Sequence, residues 1–208
     1  MSRIPGWAPM AAAEYLKLKR TLVLALAVVA PFVPAFFSFF IGLLTGHKLP
    51  PGANPWEVST SSTLQMWSLL MLPFLVAIQT SLMAQLESGN NQWKHLHALP
   101  LSRARLYLVK AGVAASLLLL STVMLLVFSL GGGVLLGLLK PSLGLLHTAP
   151  RWGSLLGAAF RPLLAVMFLL AIHQWISLRW PSLAVALGVG MGGLTGVNLD
   201  VIPYAMAF

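Results

Sequence analysis

Few residues in this chain combine types and spacing that could do chemistry. His95 and His97 form an H-x-H pair. Two imidazoles with no third ligand nearby make a poor metal site, and a solvated pair is the better reading. Residues 188–193 spell G-x-G-x-x-G, the pattern of a dinucleotide-binding turn. That chemistry requires a preceding strand, a following helix and an acid about twenty positions on, whereas these glycines sit inside an apolar run. Gly188, Gly192 and Gly196 recur every four residues and give one small face for close helix packing. No P-loop sequence (G-x-x-x-x-G-K followed by Ser or Thr) occurs, so nucleotide would have to be bound by another subunit. Glu14, Glu57, Glu87 and Asp200 are the only acids, far apart in sequence, and acid–base catalysis needs carboxylates placed together. With no G-x-S-x-G nucleophile turn either, the chain does not read as an enzyme, and no cofactor or metal is expected in it. Gln79 and His173 remain as polar groups inside apolar runs, a possible intramembrane polar site. Ionisable groups at membrane depth are functional candidates by default, although His173 could simply face the headgroups. Gln65, Gln79, Thr80 and Ser81 could line a cavity or join helices.

The elements that must position these residues follow from composition. The chain is 58% hydrophobic and 8% charged, where a soluble domain carries about a quarter charged residues. Its apolar side chains must face lipid, and the expectation is an all-α integral membrane protein, a polytopic helical bundle forming one domain. With Cys absent, there is no disulfide framework to read. Residues 1–20 lead into the membrane as an interfacial helix carrying Glu14 and Lys17. Apolar runs then predict five spans, at about 21–44, 64–86, 106–139, 158–178 and 182–199. Residues 45–63 read as a loop with a short helix starting near Asn54 and Pro55. Gly131, Gly132 and Gly133 are candidates to bend the third span. Prolines at 31, 34 and 73 lie within runs and are tolerated in membrane helices as kinks.

The net charge of +9 does not point to nucleic acid, because the cations lie at the ends of apolar runs and not on one polar face. They are topology signals and anchors to anionic lipid. One set of ends holds Arg3, Lys17, Lys19, Arg20, Lys94, Arg103, Arg105, Lys110 and Arg179; the other holds Lys48, Lys140, Arg151 and Arg161. The bias places the first set, and the N-terminus, in the cytoplasm.

The most polar stretch, 87–105, lies between the second and third spans. Residues 85–110 read QLESGNNQWKHLHALPLSRARLYLVK. This segment resembles the cytoplasmic loop of ABC-2-type permeases, in particular the branch linked to lantibiotic and bacitracin immunity exporters. The matching positions are Glu87, Gly89, Trp93, Lys94, Leu99, Pro100, Ser102, Arg103 and Lys110. Residues 14–21, with Glu14 and Lys17, are similar to the interfacial approach to that family's first span. The resemblance covers essentially the whole chain and implies six spans, so a sixth helix is expected beyond the five visible ones.

What the resemblance implies is a permease subunit of an ATP-driven exporter in a bacterial cell membrane. Two permease chains, identical or not, would pair with a separate ABC ATPase that binds ATP and Mg. The 87–105 loop would be the coupling element, with Glu87, Trp93, Lys94, Leu99, Pro100 and Arg103 contacting the ATPase. The branch points to antimicrobial peptides or other amphiphiles as cargo. Read from residues alone, Trp93, Leu96, Leu99 and Leu101 flanked by Lys94, Arg103 and Arg105 could form an apolar knob suited to an acidic or polar-rimmed groove on a partner. The same residues could lie as an interfacial helix on anionic headgroups. The rival functions are a non-transporting membrane scaffold and a membrane-embedded enzyme using His173.

Overall fold

The computed structural model describes residues 6–19, 21–45, 52–88, 103–180 and 188. Helix α1 is Trp7–Leu18, Ala-rich and carrying Lys17 in its last turn. It leads into α2, Leu22–Thr45, which holds Pro31 and Pro34 without ending. Next come α3, Pro55–Met66, a π-helical turn at Trp67–Met71, and α4, Leu72–Ser88, as one continuous rod. Helix α5, Arg103–Leu139, is the longest element. Two 3-10 turns, Pro141–Leu143 and Leu145–His147, lead from it to α6, Trp152–Arg179. Among the described residues there is no strand, and four helices are long and apolar enough to span a membrane. The chain is therefore an all-α multi-pass membrane protein. The segment read as a fifth span, 182–199, lies outside the described residues except Gly188.

The helices differ from the apolar runs at their outer ends. The second spanning helix starts at Pro55, ahead of the apolar run that begins at residue 64. Asn54 caps it, its side chain accepting the Trp56 N–H at 2.9 Å, and Pro55 at the first helical position supplies a fixed φ. The Ser/Thr run that follows stays helical because its hydroxyls bond carbonyls of the same helix, Thr60 to Trp56 at 2.7 Å and Ser61 to Val58 at 2.9 Å. The fourth spanning helix likewise starts at Trp152, ahead of the run beginning at residue 158. Within the second rod, Pro73 cannot donate a backbone hydrogen bond. The chain takes up the mismatch just before it, in the π turn, where the Leu72 N–H reaches back to the Trp67 carbonyl.

Gly131, Gly132 and Gly133 do not interrupt α5, which continues to Leu139. They make room instead. A Cβ on Gly133 would stand 2.5 Å from the Trp56 ring, and one on Gly132 would lie 3.7 Å from Phe39. The Trp56 indole donates to the carbonyls of Leu145 (3.0 Å) and Thr148 (2.8 Å), and Asn54 Nδ2 donates to Ala149 O (3.0 Å). The loop between α5 and α6 is thus stitched to the start of α3.

Helix α5 is the axis of the bundle: α2 packs along it, and α1, α3, α4 and α6 all touch it. Trp67, Leu72, Val76, Leu118 and Leu125 are fully buried in the main core, joined by Leu163, Val166 and Leu170 of α6. The outward faces carry exposed Phe32, Phe36, Phe37, Phe40, Leu164 and Phe168, side chains suited to acyl chains.

Candidate functional site

Polar chemistry concentrates in three places, two near the basic end of the bundle and one near the opposite end. The first is charged. Met10, Glu14 and Leu18 recur every four residues and form the buried face of α1. Glu14 is only 7% exposed. Its Oε1 accepts from Lys17 Nζ at 2.7 Å and its Oε2 from Lys110 Nζ at 3.0 Å. Lys110, on α5, is 3% exposed. Tyr15, one residue on, shares a short hydrogen bond with Ser116 of α5. An ion pair and a hydroxyl contact therefore fasten the interfacial helix to the central one. Burial pushes the Glu14 carboxyl upward, but the pull of Lys110 and Lys17 outweighs it and holds the group below its ordinary value.

The second place is a neutral polar layer where α4, α5 and α6 meet. Gln79 is buried and donates to Ala114 O of α5 at 3.1 Å. Ser177 of α6 donates to Thr80 of α4 at 3.3 Å. Tyr107 donates to Ala171 O at 2.8 Å, tying α5 to α6. His173, one turn before Ser177 and 1% exposed, has Nδ1 3.1 Å from Leu169 O in its own helix. Among the described residues, three polar atoms in this layer have no hydrogen-bond partner: His173 Nε2, Gln79 Oε1 and Gln174 Oε1. Buried polar atoms are nearly always paired, so the layer has unused capacity to hold water or a passing polar group.

The third place is a cleft of about 350 Å³ between α3 and α6. One side carries Thr60, Ser61, Gln65 and Ser68, and the other Ser154 and Leu155, with Leu64 between. Glu57 lies at the cleft and Arg151 faces it at 3.6 Å. An amphipathic lining open at the side suits a ligand with both polar and apolar parts.

The structure brings Glu14 and Lys17 together, with Lys110 as the third member. Gln79 and His173 share one buried layer, and no hydrogen bond joins them. Glu87 lies in the last turn of α4, and Arg103 opens α5; the segment between these helices holds Trp93, Lys94, Leu99 and Pro100, which lie outside the described residues, as do His95 and His97. Among the described residues no three His, Asp or Glu groups converge in a way that could hold a metal ion. The burial of Lys110 and Ser177, and the bond from Tyr107 to Ala171, do not follow from the sequence. A lysine about one turn inside the apolar run that begins at 106 is the available signal, because such a cation needs a partner.

Four spanning helices with a buried ion pair and a polar layer near one end make this a multi-pass membrane protein. Residues 11–193 match the family model described as ABC-2 family transporter protein, and the chain belongs to that family. It is a membrane transporter permease subunit, and the match takes in all four spanning helices described above. Comparison with curated proteins and with solved structures returns no match.

Proposed function

We propose that this chain is the permease of an ATP-driven exporter, paired with a second permease chain and driven by a separate ABC ATPase. The observation that carries the reading is the family match across 11–193. The chain has no P-loop of its own, so ATP and Mg belong to the partner. The coupling element is the segment from Glu87 to Arg105. It leaves α4 and enters α5, and α5 is the helix against which the rest of the bundle packs. A push on that segment reaches α4 and α5 directly. Through Lys110 and Glu14 it also reaches α1, so the interfacial helix moves with the core. In this proposal Trp93, Leu99 and Pro100 supply the apolar contact with the ATPase, and Lys94 and Arg103 complement an acidic or polar rim on it.

The cargo of this proposal is an amphiphile, an antimicrobial peptide being one candidate, as in the lantibiotic and bacitracin immunity branch. The cleft between α3 and α6 supports that class, because it sets hydroxyl and amide groups beside Leu64 and Leu155. The test is coupling in a reconstituted complex. Trp93→Ala or Glu87→Gln should leave the complex folded and ATP hydrolysis running while transport per ATP falls at least tenfold. Unchanged transport per ATP in both variants would remove the loop from the mechanism.

A further inference from the structure

Helix α1 buries only its Met10, Glu14 and Leu18 face against the bundle. Between it, α2 and α5 runs a groove of about 560 Å³ whose walls include Ala12, Leu16, Leu24 and Leu117. The walls are almost wholly apolar, and Leu16 is 70% exposed. Lys19 stands at the rim, exposed, where α1 ends and just before α2 begins. Lys17 and Lys110 are committed to Glu14, but Lys19 has no ion-pair partner among the described residues. Nor does the hydroxyl of Tyr15, also at the groove, offer a competing site, since it is engaged with Ser116.

We infer that this groove is a binding site for one anionic phospholipid of the leaflet at the basic end, going beyond the transport reading. The acyl chain fills the apolar cleft under α1, and the headgroup phosphate pairs with Lys19. Two features separate the site from general contact with lipid. The apolar surface is a groove at a three-helix junction, whereas the lipid-facing aromatic stripe of α2 carries no cation. The cation stands at the water-facing end of the groove, beside the start of a spanning helix at Leu22, which is headgroup depth. A cation near a membrane surface draws an anionic lipid by about fivefold in affinity.

The test is native mass spectrometry of the full chain in detergent, titrated with phosphatidylglycerol or phosphatidylcholine. The wild-type chain should retain one phosphatidylglycerol with at least fivefold preference over phosphatidylcholine. Lys19→Glu should abolish the preference and Lys19→Arg should keep it. Ala12→Trp, which fills the groove without touching the charge, should lower retention of both lipids. Size-exclusion chromatography checks that each variant is folded, and all of these positions are exposed. Equal retention of the two lipids by the wild-type chain would overturn the proposal, as would a preference that survives Lys19→Glu. A change confined to dimer mass in Ala12→Trp, with lipid retention intact, would assign the groove to a second copy instead and overturn it equally.

Discussion

Removing one partner of the Glu14–Lys110 pair should harm the protein far more than removing both. At 3.0 Å between Nζ and Oε2, the attraction is about 5 kcal/mol at an effective dielectric near 20. Desolvation of two buried ions opposes it by several kcal/mol each, so the intact pair contributes little net stability. Half a pair is different, because a buried charge loses the partner that faces it at 3.0 Å. Glu14→Gln removes the carboxylate that Lys110, 3% exposed, holds, and Lys110→Met removes the more deeply buried of the two cations on Glu14. Each single change should lower stability by about 3–5 kcal/mol, and the double change by about 0–2 kcal/mol. The assay is unfolding of the purified chain in mixed micelles by titration with dodecyl sulfate, arranged as a double-mutant cycle. Losses under about 1 kcal/mol in both single variants, adding in the double, would refute the role given to the pair in fastening α1 to α5.

Three further outcomes follow from the same geometry. Gly133→Ala places a methyl 2.5 Å from the Trp56 ring; the helix gains about 1 kcal/mol in propensity, overpacking costs about 1–3 kcal/mol, and the same titration should show a net loss, with a gain counting against the tight fit. Gln79→Leu exchanges an interhelical hydrogen bond at 3.1 Å for apolar contact, and bonds of this kind in membranes average about 0.6 kcal/mol. Stability should therefore change by less than about 1 kcal/mol, and a loss several times larger would show the polar layer to be a structural keystone. The carboxyl of Glu14 lies below its ordinary 4.5 in the folded chain, so its contribution is complete above that pH and is lost as pH falls through the lower folded value. Stability measured from pH 6 to pH 3 should show this acid-side loss in the wild-type chain and a weaker one in Glu14→Gln; identical profiles would contradict the shift.

Much of this was legible in the sequence, for reasons specific to particular residues. The scarcity of charge and the long apolar runs forced a membrane bundle, and Glu14 was marked as part of the interfacial approach. What hydropathy could not show was where helices begin. A window sees Ser59, Thr60, Ser61, Ser62 and Thr63 as polar, but their hydroxyls can turn inward onto the backbone, as Thr60 and Ser61 do, and the Asn54–Pro55 cap starts a helix regardless. The triple glycine looked like a hinge because glycine weakens helices in water; its reason here lies across the bundle, in the width of the Trp56 indole. Pairings at long separation were equally hidden. Glu14 and Lys110 meet because α1 folds back on α5, and periodicity within either helix says only that each residue lies on an inner face.

The central claim, a permease driven through the loop after α4, is tested most directly by purifying the tagged chain from its native membranes in mild detergent and identifying what accompanies it. The account predicts an ABC ATPase in stoichiometric amount, lost when Trp93 and Leu99 are both changed to Ala while the bundle itself stays folded. An intact complex that contains no ATPase, or one whose ATPase is retained in that double variant, would contradict it.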